Sequence, residues 1–381
     1  MFMETDEELL NYFVKTRQLQ KNTAASYAIF TKQYAELNNM TMVELLEEAE
    51  KEEESGARWK HRTLRKRLLN YRTFLYENYA ASTAKSRLGK IQSFYRHFEI
   101  EIHPLPPISN VNIKKSHMGF QDLPDTMIIK KAMKIASPLM RAIISFMSSS
   151  GSAAAETKNL TVQSLINATN NEYVSYHDST DIYEIINQLK NRDDIVPVFE
   201  MKRQKTNKFY YAFCSPEAVT ETINYLASTT KKLTPESPLF EISDKQFTVQ
   251  FQKINDSLGL GKLENGRRRF ASHMLRKFHA TSLYNDKVPL EIIDTLQGRG
   301  KDQVHSAYFM EDPMKLREIY IEHLNCLTIN LDVNNLDLKS PEYVKLENEN
   351  TSLKSELNKL DDIMERLNKL ESMSDDDLLN S

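Results

Sequence analysis

Over the first hundred residues the apolar positions recur every three or four places, the spacing that gathers them on one face of a helix. Tyr27, Phe30 and Tyr34 share such a face, with Asn22 and Thr23 ahead of it as candidate caps. Val43, Leu45 and Leu46 mark a second helix, which runs into acidic residues. A third starts near Trp59 and carries Leu64, Leu68, Leu69, Tyr71 and Phe74 as one stripe. A fourth, from about Ser82, carries Leu88, Ile91 and Phe94. The pattern predicts a small helical bundle. HPLPPIS, residues 103–109, ends it with three prolines.

Beyond a linker the pattern changes. Pro124 stands near the start of a helix expected to run to about Met147. DIVPVFEMKR and KFYYAFCS are rich in β-branched and aromatic residues and flank the polar turn QKTN, which predicts a hairpin. Helices return from Ser215, and residues 266–327 read as helical with breaks near Pro289 and residues 298–300. Near the end Leu346, Leu353, Leu360 and Leu367 fall every seventh residue, with Asn350, Leu357 and Met364 between them. This is a heptad pattern of about three repeats with one polar core position.

A chain of 381 residues suits two domains plus an appendage. No apolar run is long enough to span a bilayer. The start, MFMETDEELL, is acidic where a signal peptide would be basic, and two cysteines, Cys214 and Cys326, build neither a disulfide framework nor a zinc cage. The expectation is a cytoplasmic protein with no membrane partner. A net charge of −3 is not that of a typical nucleic-acid binder, but the charge is unevenly placed. Residues 41–55 and 341–381 each carry −6, which leaves about +9 on the remainder. Arg58, Lys60, Arg62, Arg65, Lys66 and Arg67, with Lys85, Arg87 and Lys90, interleave the bundle's apolar stripes and are the expected DNA contacts. A solvated helix face is the plainer reading of such a run.

Three segments carry the candidate chemistry. MKRQKTNKFYYAFCSPEA places Lys205 at the tip of the expected hairpin. ASHMLRKFHATSLY places His273 and Arg276 three residues apart, on one helix face. LQGRGKDQVHSAYF places Arg299 nine residues before Tyr308. Lysine, His-x-x-Arg and tyrosine in this order resemble the tyrosine recombinase family in its archaeal integrase branch, over about residues 121–335.

The resemblance implies a mainly α fold with a small β element. A helical core-binding (SAM-like) domain would occupy residues 1–105 and a linker 106–120. The catalytic domain would occupy 121–335, and a coiled-coil tail with a disordered end 336–381. It implies Tyr308 as nucleophile, Arg276 as phosphate clamp, His273 as its acid–base neighbour and Lys205 as general acid. Arg299 would donate hydrogen bonds to phosphate. These residue types suit the chemistry. A tyrosine can attack phosphorus and store the broken bond as a phosphotyrosine. Guanidinium groups stabilise the charge that gathers on the nonbridging oxygens. No metal, nucleotide or small-molecule substrate is required, so the expected cofactor set is empty. The expected partners are double-stranded DNA and further copies of the chain, as a tetramer on paired sites.

The departure lies upstream. The family carries an arginine within a Gly-x-x-x-x-Glu stretch, and here that stretch reads SSSGSAAAETKNLT. Gly151 and Glu156 are present, and alanine stands at both candidate positions, Ala153 and Ala154, of which Ala154 is favoured. A substitution made to arrest chemistry and a natural loss would both leave this trace. Two functional readings follow. One is a recombinase with impaired strand transfer. The other is a catalytically silent DNA-binding regulator on the same fold.

Overall fold

The computed structural model describes residues 4–108, 119–170, 172–174, 181–190, 192, 194–264, 266–299 and 312–329. The chain divides into two compact units, residues 1–118 and 119–381.

Among its described residues the first unit is a bundle of five α-helices: α1 (Asp6–Thr16), α2 (Lys21–Asn38), α3 (Met42–Glu54), α4 (Thr63–Asn78) and α5 (Ala81–His97). Its centre is aromatic. Phe13, Tyr34, Tyr71, Phe94 and Tyr95 are fully buried, and Tyr34 meets Tyr71 edge to face at 5.0 Å. The caps are local chemistry. Thr41 accepts from the Glu44 N–H at 3.1 Å while Glu44 accepts from the Thr41 N–H at 2.8 Å, which starts α3. At α2 the expectation of an Asn22 or Thr23 cap fails, because the helix already begins at Lys21 and Gln20 occupies the cap without a side-chain bond. Gln18 takes a left-handed φ of 48°, so the chain turns out of α1 tightly enough to start α2 early. The third expected helix opens as a short 3-10 turn, Trp59–His61, before α4.

The described residues of the second unit are mainly α with one two-stranded antiparallel sheet. Its helices are α6 (Thr126–Ile135), α7 (Pro138–Ser150), α8 (Ala154–Lys158), α9 (Val162–Thr169) and α10 (Ile182–Lys190). The strands β1 (Val198–Lys202) and β2 (Phe209–Phe213) follow. Then come α11 (Pro216–Ala227), α12 (Asp244–Ser257), α13 (Ser272–Asn285), α14 (Leu290–Leu296) and α15 (Pro313–Glu322). The expected hairpin is present, with Val198 paired to Phe213 and Lys202 to Phe209.

The single helix expected from Pro124 to Met147 is two. Proline has no N–H to continue a helix and pushes the residue before it out of the α region. Ala136 and Ser137 are therefore extended, and Ser137 caps α7 by accepting from the Met140 N–H at 3.4 Å. Helix α7 is the core of this unit and packs against α11 and α13. Every residue from Ala142 to Ser150 is buried. The serines at its end keep it thin, and Ser148 and Ser149 return their hydroxyls to the Ser145 carbonyl. Gly151 then ends the helix in the left-handed region, at a φ of 63°. Cys214 and Cys326 are free thiols. The heptad stretch lies outside the described residues. Among the described residues no helix is long and apolar enough to cross a membrane.

Candidate active site

The hairpin brings up the first group. Its turn closes by two backbone bonds, Arg203 N–H to the Lys208 carbonyl and Asn207 N–H to the Arg203 carbonyl, each 2.8 Å. Asn207 supplies the left-handed residue such a turn needs, at a φ of 57°. Lys205 stands exposed in this turn. Arg203, at its root, points inward.

Helix α13 supplies the second group. Arg276 is 6% exposed. Its Nη1 donates to the Gly151 carbonyl at 2.7 Å and its Nη2 to the Gln297 carbonyl at 2.5 Å. The first carbonyl ends α7 and the second ends α14, so one side chain ties three helices together. Burial holds the Arg276 pKa below the ordinary guanidinium range, and Arg203 adds to this. Arginine stays charged under any such shift. His273, one turn before it, is exposed. Its pKa lies below the ordinary imidazole range, first by desolvation and then through Lys277, Arg276, Arg267 and Arg299.

The countercharge is Glu156 on α8, buried at 5% exposure. Its Oε2 accepts from the Ala153 N–H and from the Tyr210 hydroxyl, both at 2.9 Å. It lies 3.9 Å from Arg276 and 3.8 Å from Arg203. Burial first, and the Glu156 carboxylate second, lift the Tyr210 hydroxyl well above the usual tyrosine range.

Gln297 is the hinge of the arrangement. Its carbonyl also accepts from Arg203 Nη1 at 2.9 Å. Its Nε2 donates to the Arg276 carbonyl at 2.9 Å and lies 3.0 Å from Nδ1 of the fully buried His279. Burial, followed by the charges of Arg276 and Arg299, depresses the His279 pKa to about 3, so this ring is neutral. Arg299 pairs with Asp294 at 3.0 Å and remains half exposed.

Helix α13 thus carries His273 one turn before Arg276, whose Nη2 meets the Gln297 carbonyl two residues before Arg299. Lys205 stands apart at the hairpin tip, and Tyr308 lies outside the described residues. Ala153 caps α8, its N–H on Glu156, whereas Ala154 packs against the hydrophobic core. Sequence reading passed over Arg203, Tyr210 and Gln297. Arg203 was hidden in a run of turn cations, and a backbone carbonyl such as that of Gln297 leaves no trace in a sequence. Among the described residues no group of three or more His, Cys, Asp or Glu side chains could hold a metal ion.

The cations of the first unit sort into two kinds. Arg67 grips Glu48 through Nε at 2.7 Å and Nη2 at 3.0 Å and also donates to Asn38. Arg62 is buried, bonded to the Ala57 carbonyl at 2.9 Å and to Glu53 at 3.1 Å. Arg87 donates to Gln33 at 2.8 Å and lies over the Tyr79 and Phe30 rings, and Lys90 lies over Tyr27. Arg58, Lys60, Lys66 and Lys85 are exposed, and Arg65 is partly so. The acidic α3 therefore has a structural use: it holds the basic α4. Glu52 completes the link by accepting from the Thr63 and Leu64 N–H groups at the start of α4.

Residues 187–325 match the family model described as archaeal phage integrase. None of the curated proteins compared matches the chain. Several solved structures are similar. The XerA recombinase shares 16% identity, over 84% of this chain and 98% of its own, with a TM-score of 0.34. The XerH site-specific recombinase in a post-cleavage complex with palindromic difH shares 15%, over 82% and 83%, with a TM-score of 0.48. The Tn1549 transposon integrase in complex with circular intermediate DNA shares 10%, over 84% and 99%, with a TM-score of 0.48. The segment similar to the archaeal phage integrase family, residues 187–325, holds the hairpin, the His273–Arg276 helix and Arg299.

Proposed function

We propose that this protein is a site-specific DNA recombinase of the integrase type, working through a 3′-phosphotyrosyl intermediate. The observation that carries the reading is Arg276: a buried guanidinium held by two carbonyls, one helical turn from His273, in a cluster with more arginines than carboxylates. Such a cluster suits a phosphate. The phenol oxygen of Tyr308 attacks phosphorus, the Tyr308–phosphorus bond forms and the bond to the 5′-oxygen breaks. His273, whose pKa is lowered first by desolvation and then by its cationic neighbours, accepts the phenol proton. The Lys205 ammonium gives a proton to the departing oxygen. Arg276 and Arg299 hold the nonbridging oxygens throughout. The exposed cations of the first unit, Arg58, Lys60, Lys66 and Lys85, contact backbone phosphates, and a tetramer on paired sites is the working unit. The heptad tail supports that assembly through high local concentration.

Alanine at 153 and 154 lowers the rate, since removing one transition-state donor commonly costs about 10²–10³-fold. That alanine also favours a second reading, a silent DNA-binding regulator. Covalent trapping on a nicked duplex carrying the chain's own site, found by sequencing bound DNA, separates them. An adduct that Tyr308→Phe abolishes supports strand transfer. A bound site that yields no adduct from the chain, from Ala153→Arg or from Ala154→Arg leaves the regulator.

A further inference from the structure

We infer that Arg203 is a phosphate-binding residue, supplying from the root of the hairpin a second guanidinium beside Arg276. The inference deepens the strand-transfer reading and rests on it. Arg203 and Arg276 donate to one acceptor, the Gln297 carbonyl, at 2.9 and 2.5 Å. Two like charges are therefore held side by side. The carboxylate near both is Glu156, at 3.8 and 3.9 Å, and it already accepts from the Ala153 N–H and the Tyr210 hydroxyl. Two cations facing one anion leave positive charge unbalanced in a largely buried place, which an incoming anion relieves.

The two guanidiniums are differently engaged. Arg276 has both terminal nitrogens on carbonyls and is 7% exposed at its side chain. The Arg203 side chain makes a single hydrogen bond among the described residues, through Nη1, and is 20% exposed. Its remaining N–H groups suit a phosphate oxygen. The start of α8 borders the same carboxylate through the Ala153 N–H, while Ala154, partly buried, packs against the core. An arginine rooted at 153 and the Arg203 side chain thus converge on Glu156, and the hairpin makes up in part for the alanine.

The test titrates inorganic phosphate against the full chain at matched ionic strength, following the melting midpoint. Phosphate is expected to raise it, and Arg203→Ala and Arg203→Gln to weaken the affinity by about 10–100-fold, the range of one charge-assisted hydrogen bond. Arg203→Lys, which keeps the charge and guards against a folding loss, should retain part of it. In trapping on the nicked duplex, Ala153→Arg placed into Arg203→Ala should recover adduct that Arg203→Ala loses. Folded Arg203→Ala and Arg203→Gln chains that take phosphate as tightly as the unmodified chain would overturn the inference. Phosphate affinity that follows Arg203, with no adduct from any variant, keeps the anion site and rejects strand transfer instead.

Discussion

Gly298 lies against the ring of Tyr210: a Cβ built on Gly298 would stand 2.5 Å from Tyr210 Cδ1, and the backbone there is left-handed, at a φ of 58°. The residue after Gln297 must therefore be small for Tyr210 to reach Glu156.

Gly298→Ala is expected to destabilise the second unit by roughly 2–4 kcal/mol, combining left-handed strain with a displaced ring. It should also weaken phosphate-dependent stabilisation, because the Gln297 carbonyl moves with its neighbour. Urea unfolding monitored by circular dichroism gives the first quantity. An unchanged midpoint would show that the ring shifts freely and does not set the site.

Glu156→Gln and Glu156→Ala should differ. Glutamine retains an acceptor for the Ala153 N–H and should cost about 1–3 kcal/mol. Alanine removes that acceptor as well as the countercharge of Arg276 and should cost about 3–5 kcal/mol. Equal losses from the two substitutions, read by denaturant midpoints, would mean that the charge both remove, and not the acceptor that glutamine keeps, is what Glu156 supplies.

His279 makes stability depend on pH. Its folded pKa is about 3, against an ordinary imidazole value of 6.5, so between these values the unfolded chain binds the extra proton. Stability is then full above about pH 6.5 and falls as pH drops through the window, by at most about 1.4 kcal/mol per unit. His279→Gln should flatten the slope between pH 6.5 and 4.5, where few carboxylates have begun to titrate. Unfolding curves across that range decide it, and a slope unaltered by the substitution assigns the dependence to another group.

The cations of the first unit should separate by function. Lys60→Ala, Lys66→Ala and Lys85→Ala should each leave the unfolding free energy within about 0.5 kcal/mol of the original. Each that touches a phosphate should lower the salt slope of binding to a random duplex by about 1. Arg67→Ala should instead destabilise the unit, since it strips Glu48 of a bidentate partner. Salt slopes unmoved by all three lysine changes would remove DNA from this surface.

What was legible in the sequence was whatever has a period or a motif. The aromatic bundle, the hairpin around QKTN, the Ser215 start of α11 and the shared helix of His273 and Arg276 all follow from local spacing. What escaped depends on contacts between distant segments. The joining of Arg203 to Gln297 spans 94 positions and ends on a backbone oxygen, which every residue has. The basic run 58–67 read as one surface, yet Arg62 and Arg67 turn inward because α3 lies alongside with Glu53 and Glu48. The break at Pro138 had a visible cause, but the apolar pattern on both sides continued across it.

The position of Lys205 has a kinematic meaning. It lies two residues beyond Arg203, whose side chain is fastened to the Gln297 carbonyl. Two residues of extended chain span at most about 7 Å. The lysine is thus on a short tether pegged beside Arg276, and whatever lengthens the turn also lengthens the tether. One residue inserted between Arg203 and Lys205 would widen the volume it sweeps without touching a single contact of the buried cluster.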